Sequence, residues 1–424
     1  MKRQITHTGM LFAAGFALAL GCAASPTEKG GSGGANTGAG GAPAGSGGMV
    51  ASTGGAGTML LLGMGGHPFP QNKKPGNCTL TTVSNASGAV QSAYNAWKGS
   101  FVTSSGAGAG LRVRRPGSQN GDDTVSEGIG YGMVAAVYMG DRATFDGLWT
   151  YAQLHFDANG LMNWRISSGG TTIEAGSATD GDVDITWALI MASEQWSSTT
   201  YLDDAKKQIK AMRMSSIGSD GLLRPGDGWG SGIKLTNPSY FAPAYFRVFA
   251  RVANDSVWSG TILNRNYDTL AAVAGTQGLV PDWTDDQNSL NKGTLMSGKN
   301  FDSSTYGYDA TRTPWRIAMD YCLNDEPRAK AYLMKIGAFF NGVGASSIVD
   351  GYAVTGGAKG SGDKNMAFIG PAGAAGMAGY QTLLDGAFNF GVNATTGDYF
   401  KDSLRVITML MMSGNMLDYS KPLP

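Results

Sequence analysis

The chain has 424 residues, 42% of them hydrophobic and 15% charged, with 32 lysines and arginines balancing 32 aspartates and glutamates. That length and apolar content can bury a sizeable core in one large domain or two ordinary ones, and a net charge of zero offers no broad field to attract nucleic acid or an anionic membrane surface. The 3 histidines (His7, His67, His155) and 3 cysteines show no metal-site spacing, and no phosphate-cradling loop is present, so neither a metal nor an organic cofactor is expected.

Residues 1–22 read as an export signal. Lys2 and Arg3 precede an apolar run, 10–20, too short to span a bilayer as a mature helix. The run ends in Leu18-Ala19-Leu20-Gly21-Cys22, which resembles a bacterial lipobox. That resemblance implies lipidation of Cys22 at the new N-terminus, with ordinary secretory cleavage as the alternative. The expected location is the cell surface or outer membrane, with membrane contact only through that N-terminal anchor; failing lipidation, the protein is secreted. Residues 23–75 are rich in Gly, Ser and Ala and cannot offset the entropy of ordering, so they read as a flexible tether.

Residues 76–424 read as the folded domain. Cys78 lies at its start and Cys322 deep within it; export permits a disulfide, two buried thiols are the alternative, and spacing does not choose between them. From residue 80 onward helical periodicity recurs and strand alternation is scarce. Helices are predicted near 89–101, 126–139, 144–155, 182–196, 201–214, 239–252, 256–274, 313–323, 326–340, 365–384 and 398–413, joined by loops rich in Gly and Asn. Many similar helices without a heptad seam predict an all-α fold of pairs packed around a centre, either a solenoid or a closed barrel. The lack of a fixed repeat argues against a simple solenoid.

Three acid-bearing segments stand out in this charge-poor chain. In Thr124-Val125-Ser126-Glu127, Glu127 fits a capping box, where it would only satisfy a backbone donor. Gly128, Gly130 and Gly132 on the same helix cost stability unless close packing or a ligand needs the missing side chains. The stretch Asp180-Gly181-Asp182-Val183-Asp184 starts like a calcium loop, but Ile185 and Met191 stand where Gly and Glu are required. On a helix Asp180 and Asp184 share a face while Asp182 turns away, so the cluster can divide its labour among cleft, cap and solvent. Thr313-Pro314 reads as a helix start that leaves Asp309 in the preceding loop between Tyr308 and Arg312. If the inner helices of a ring all begin at one end, the three acids converge, and paired carboxyls can supply the general acid and the base that glycosidic hydrolysis needs. Trp149, Trp164, Trp187, Trp229, Trp283 and Trp315 are candidate platforms for sugar rings, against a core role for each.

The segments SEGIGYGM, ATDGDVDI followed by WALIMASEQW, and YDATRTPWR resemble glycoside hydrolase family 8, over residues from about 89 to the closing LRVITMLMMSGNM. Thr186 departs from the alanine usual there. The resemblance implies an (α/α)6 barrel with a cleft at the N-terminal ends of the inner helices, and inverting hydrolysis of a β-1,4-linked polysaccharide; endo action by a monomer is expected. It implies Glu127 as general acid, Asp309 as base and Asp180 as the residue gripping the sugar at the point of cleavage. Tyr308 and Arg312 would position the water and the base, and Trp164 and Trp229 would stack on sugar. β-1,4-Glucan is the favoured substrate, xylan the runner-up; a surface glycan-binding protein without turnover is the alternative from another class.

Overall fold

The computed structural model of the chain describes residues 66–228, 235–285, 303–394 and 396–424. The expected signal segment with Cys22, the tether up to residue 65, and Trp229 lie outside the described residues. Twelve α-helices run through the described residues: α1 (Ala86–Phe101), α2 (Ser126–Met139), α3 (Arg142–Leu154), α4 (Thr179–Gln195), α5 (Thr199–Ser215), α6 (Pro243–Ala253), α7 (Leu263–Val273), α8 (Thr313–Asn324), α9 (Pro327–Val343), α10 (Met366–Gly376), α11 (Gln381–Asn393) and α12 (Tyr399–Met412).

Odd and even helices bury themselves differently. Every residue of α4 and of α10 is buried, as are all of α2 except Glu127 and Met139. The sequence of α10 is apolar all round, the mark of an element enclosed on every side; α4 is enclosed as fully although it carries Asp180, Asp182, Asp184 and Glu194. Helices α1, α3 and α5 bury one face only, Val90, Ala93, Tyr94, Trp97 and Phe101 in the case of α1. The even helices form an inner ring, in which α2 packs on α4, α8 on α10, α10 on α12, and α12 returns to α2; each outer helix lies against an inner neighbour. The fold is the (α/α)6 barrel, closed rather than open-ended.

Three departures from the sequence reading have local causes. The single helix expected over 365–384 is two: α10 ends at Gly376, Gly379 turns the chain at φ 137°, and α11 starts at Gln381. A Cβ on Gly376 would lie 2.9 Å from the backbone nitrogen of Leu384, so the turn brings α11 back against α10. Helix α6 starts at Pro243, after a 3₁₀ turn over Pro238–Tyr240, because proline at the first helical position needs no partner for an N–H. Residues 66–75, assigned to the tether by composition, are instead part of a strap across the base of the barrel. His67 bonds to Gln195 and stacks on Tyr419 at 4.1 Å, Lys73 N donates to Gly414 O at 2.9 Å, and Thr79 N to Met377 O at 2.9 Å. Cys78, in the strap, forms a disulfide with Cys322 near the C-terminus of α8, with 5.1 Å between the Cα atoms, settling the pairing left open by sequence.

Short strands lie towards the other end. A three-stranded antiparallel sheet of β3 (Thr124–Val125), β4 (Arg165–Ile166) and β5 (Thr172–Glu174) leads into α2; β1 (Val102–Thr103) pairs with β2 (Arg112–Val113), and β6 (Thr305–Tyr306) with β7 (Tyr352–Ala353). Arg115, Asp123, Arg165 and Glu174 form a chain of ion pairs along the larger sheet, holding rigid the wall that carries Glu127.

Candidate active site

The inner helices begin at the end of the barrel opposite the strap, and their first residues meet there. Glu127 is the second residue of α2, Asp180 the second of α4 and Tyr399 the first of α12, while Asp309 and Arg312 immediately precede α8. Arg312, 1% exposed, joins them. Its Nη1 donates to Glu127 Oε2 at 2.6 Å and to Asp180 Oδ2 at 2.5 Å, and its Nη2 donates to Asp309 Oδ1 at 2.8 Å. The guanidinium rests on the ring of Tyr240, 5.4 Å from its centroid.

The convergence predicted from helix starts is therefore present, but the capping box is not. Val125 occupies the N-cap position of α2 without a side-chain cap, and Glu127 turns away from the backbone to accept from Tyr399 Oη at 2.9 Å as well as from Arg312. The helix glycines account for this approach. A Cβ on Gly128 would stand 3.0 Å from the Tyr399 hydroxyl, and one on Gly130 2.8 Å from Asp184 Cβ. Substitution at either position would push apart the helices that carry the acids.

Burial pushes the Glu127 carboxyl up to about 7; Arg312 opposes that rise, Asp180 adds to it, and the Tyr399 hydrogen bond lowers it. An acid poised there holds a proton near neutrality and can give it up. The Asp309 carboxyl is also raised by burial, against the pull of Arg312 and of the hydrogen bond from Trp283. It is the more open of the two, with 36% of its side chain exposed against 17% for Glu127.

Asp184 lies a turn below Asp180 as expected, paired with Arg316 in the core. Asp182 does not face solvent or cap the helix: it is fully buried, and burial pushes its carboxyl well above the usual range. The tryptophans divide as well. Trp149 donates to Asp204, Trp187 donates to Tyr138, and Trp315 is buried against Arg316, so these three are core. Trp164 is half-buried, and its carbonyl accepts from Ser126 N at 2.9 Å, which places it beside the start of α2. Tyr308 is 39% exposed, its ring edge-on to Phe368 and Phe400 next to Asp309.

Tyr399 and Trp283 complete the site. Tyr399 escaped the motif reading because it lies outside the three acid segments, although Asp398, which caps α12 by accepting from Phe400 N and Lys401 N, marks it as the opening residue of an inner helix. Trp283, considered as a sugar platform, instead points its indole N–H at Asp309 Oδ2, 3.0 Å away. No cluster of potential metal ligands occurs among the described residues.

A closed ring of helices carrying an acid poised near neutrality, a second carboxyl across a guanidinium, and flanking aromatics defines a glycoside-cleaving centre. The chain belongs to glycosyl hydrolase family 8, whose description it matches over residues 67–414. It is 39% identical over 342 residues to Endoglucanase A of Acetivibrio thermocellus, spanning 77% of this chain and 69% of that protein. It is 32% identical over 388 residues to a Beta-glucanase of Niallia circulans, spanning 83% and 91%. Among solved structures, the apo β-1,3-1,4-glucanase from Paenibacillus sp. X4 superposes with a TM-score of 0.75 at 30% identity, covering 82% of this chain and 98% of that one. A cold-adapted family 8 xylanase shares the fold, with a TM-score of 0.70 at 22% identity over 82% and 98%.

Proposed function

We propose that this glycoside hydrolase cleaves β-1,4-linked glucan internally and with inversion, with Glu127 as general acid, Asp309 as base and Asp180 gripping the sugar at the scissile bond. The observation that carries the reading is Arg312 holding Glu127 and Asp309 on different nitrogens. The near oxygens of the two carboxyls are thereby separated by no more than a guanidinium's width and two hydrogen bonds. Inverting enzymes keep their pair roughly 6.5–9.5 Å apart, leaving room for a water behind the anomeric carbon.

In this reading protonated Glu127 gives its proton to the leaving glycosidic oxygen while Asp309 takes one from the attacking water. Positive charge developing on the sugar is met by Asp180, held by Arg312 Nη1 and by the backbone N–H of Gly181 at 2.9 Å. Arg312 keeps the three carboxylates from repelling one another and fixes their separation. Exposed aromatic surface at Tyr308 and Trp164 is available to stack on neighbouring rings.

Glucan is favoured over xylan because the relatives at 30% identity or more are named for glucan, whereas the xylanase likeness at 22% concerns the fold. We also place the enzyme outside the cytoplasm, on the signal-like N-terminus and on the Cys78–Cys322 disulfide, which suits an oxidising compartment. Attachment through Cys22 belongs to the same proposal, and palmitate labelling that is lost in Cys22→Ala would test it.

Assays on carboxymethylcellulose, lichenan, xylan and chitosan test the substrate, with faster release of reducing ends expected from the two glucans. Nuclear magnetic resonance of the first product tests the mechanism: the α-anomer is expected, and an initial β-anomer would overturn inversion. Glu127→Gln is expected to cost about 10²–10⁴-fold in turnover on polysaccharide and far less on an activated aryl glycoside, whose leaving group needs no proton. A surface binder without turnover would release nothing from any of the four.

A further inference from the structure

The segment 279–285, LVPDWTD, lies between α7 and the acid loop and belongs to none of the motifs that marked the site. It nevertheless makes the contacts that fix Asp309. Asp282 Oδ1 accepts from Gly307 N at 2.9 Å and from Ala310 N at 2.8 Å, so one carboxylate oxygen ties together the residues on either side of Tyr308 and Asp309. The backbone of Asp282 anchors the same loop a second time, its N donating to Thr305 O at 2.9 Å. The fit is close: a Cβ on Gly307 would lie 2.4 Å from Asp282 Oδ2, which explains a glycine in Tyr306-Gly307-Tyr308-Asp309.

The next residue acts on the side chain. Trp283 is 6% exposed, donates from Nε1 to Asp309 Oδ2, and sets its ring edge against Tyr240 at 5.9 Å, the ring on which Arg312 rests. Asp309 therefore has Arg312 on Oδ1 and Trp283 on Oδ2. Backbone bonds between Thr284 and Thr236, 3.0 and 2.9 Å, tie the segment to the stretch of chain that leads into Tyr240.

We propose that Asp282 and Trp283 act as a two-point clamp on the base, Asp282 fixing where the Asp309 carboxylate stands and Trp283 fixing its orientation and basicity. Both are positioning residues, since they act through Asp309. The inference rests on Asp309 being the base. Trp283 holds a carboxylate whose charged form it stabilises, so its removal raises the pH at which Asp309 takes up a proton. The other groups facing Asp309 stay in place in that experiment: Arg312 on its own loop, Asp180 on α4, Glu127 across the guanidinium on α2, Tyr240 before α6, and Asp282 on the clamp itself.

The test is the pH dependence of kcat and kcat/KM on lichenan for the full chain, with Trp283→Phe, Asp282→Ala, Asp282→Asn and the reference Asp309→Ala. Trp283→Phe is expected to move the acidic limb of kcat/KM to higher pH and to lower kcat with KM within twofold of the parent. Asp282→Ala is expected to lower kcat at least tenfold with little change in KM, and Asp282→Asn to recover most of it, because its carbonyl can still accept both N–H groups. An unmoved acidic limb in Trp283→Phe overturns the clamp, as does a rise in KM at constant kcat, which would make Trp283 a sugar platform. Equal kcat in Asp282→Ala and Asp282→Asn would leave Asp282 a structural residue only and overturn its half of the clamp. Asp309→Ala separates the two levels of the argument: loss of turnover, restored by azide with formation of the α-glycosyl azide, keeps Asp309 as base whatever the clamp variants do. Retained turnover in Asp309→Ala would remove the base assignment itself.

Discussion

Arg316 meets Asp184 in a doubled ion pair, Nη1 to Oδ1 at 2.8 Å and Nη2 to Oδ2 at 2.7 Å, with both side chains fully buried. The pair stands one helical turn beneath Arg312 and Asp180, four residues on along each chain segment, so α4 and α8 are joined by two tiers of the same contact. The upper tier holds Glu127 and Asp309 through Arg312, and the lower one fixes the register in which it stands. Asp184→Ala leaves the Arg316 charge buried without its partner and is expected to cost about 3–5 kcal/mol. Urea unfolding measures it. The paired change Asp184→Leu with Arg316→Met should cost less than the single change, because no unpaired charge remains; a larger loss in the double variant would contradict this account.

The hydrogen bond from Tyr399 to Glu127 stabilises the carboxylate over the acid, and so opposes the burial that pushes Glu127 up to about 7. Removing the hydroxyl in Tyr399→Phe favours the protonated form. The basic limb of the pH–kcat profile, where the general acid loses its proton, is expected to move to higher pH in that variant. A basic limb that stays in place or moves down would show that Tyr399 does not set the acid's proton affinity.

The same shift has a consequence for stability. Between the ordinary value of 4.5 and about 7 the folded chain keeps the Glu127 proton while the unfolded chain has lost it. The folded state therefore binds more protons in that window, and its stability falls as pH rises through it. Glu127→Gln abolishes this contribution. Relative to the parent, the variant is expected to gain stability steadily between pH 4.5 and about 7 and to hold a constant difference above that. Unfolding in urea at a series of pH values reads this directly, and a difference independent of pH would place the proton elsewhere. An active-site carboxyl that weakens the fold in its ionised form is a group retained for chemistry.

The sequence carried the site as far as helix starts could carry it. Glu127, Asp180 and Asp309 were legible because each stands where an inner helix begins, and a ring of parallel inner helices has only one place to put its N-termini. What the residues alone did not reveal is who touches whom. Arg312 read as a neighbour of the base, yet it holds all three carboxyls, because the partners lie 185 and 132 residues away in the chain. Trp283 read as a possible platform because a tryptophan's ring and its N–H cannot be told apart in function until the acceptor is seen. The surroundings of Asp182 were not legible because period alone gives a face its direction but not its neighbours, and on an enclosed helix every direction is inward. In the fold, α10 and α11 merged since Gly376 and Gly379 interrupt an apolar run too briefly to break the periodicity. The strap was missed because backbone bonds, not apolar side chains, hold much of it.

The strap makes the last prediction. Cys78 and Cys322 are 244 residues apart, so their bond closes a loop that takes in most of the barrel, and removing it frees a large share of the unfolded chain's entropy. The chain-entropy account sets that loss at about 5 kcal/mol for so long a loop. The bond lies at the C-terminal end of α8, whereas Arg312 lies just before its N-terminus, so the disulfide and the acids occupy opposite ends of the same helix. The paired change Cys78→Ala with Cys322→Ala is expected to lower the unfolding temperature markedly while leaving kcat at 25 °C within twofold of the parent. The strap keeps its bonds to Gln195, Gly414 and Met377, and these hold the base closed at low temperature. Limited proteolysis should then cut the disulfide-free variant within 66–82 before it cuts the helices, as the strap opens first on warming. An unchanged unfolding temperature would show that those bonds suffice by themselves. A collapse of kcat at 25 °C would mean that the base of the barrel governs the geometry of the acids.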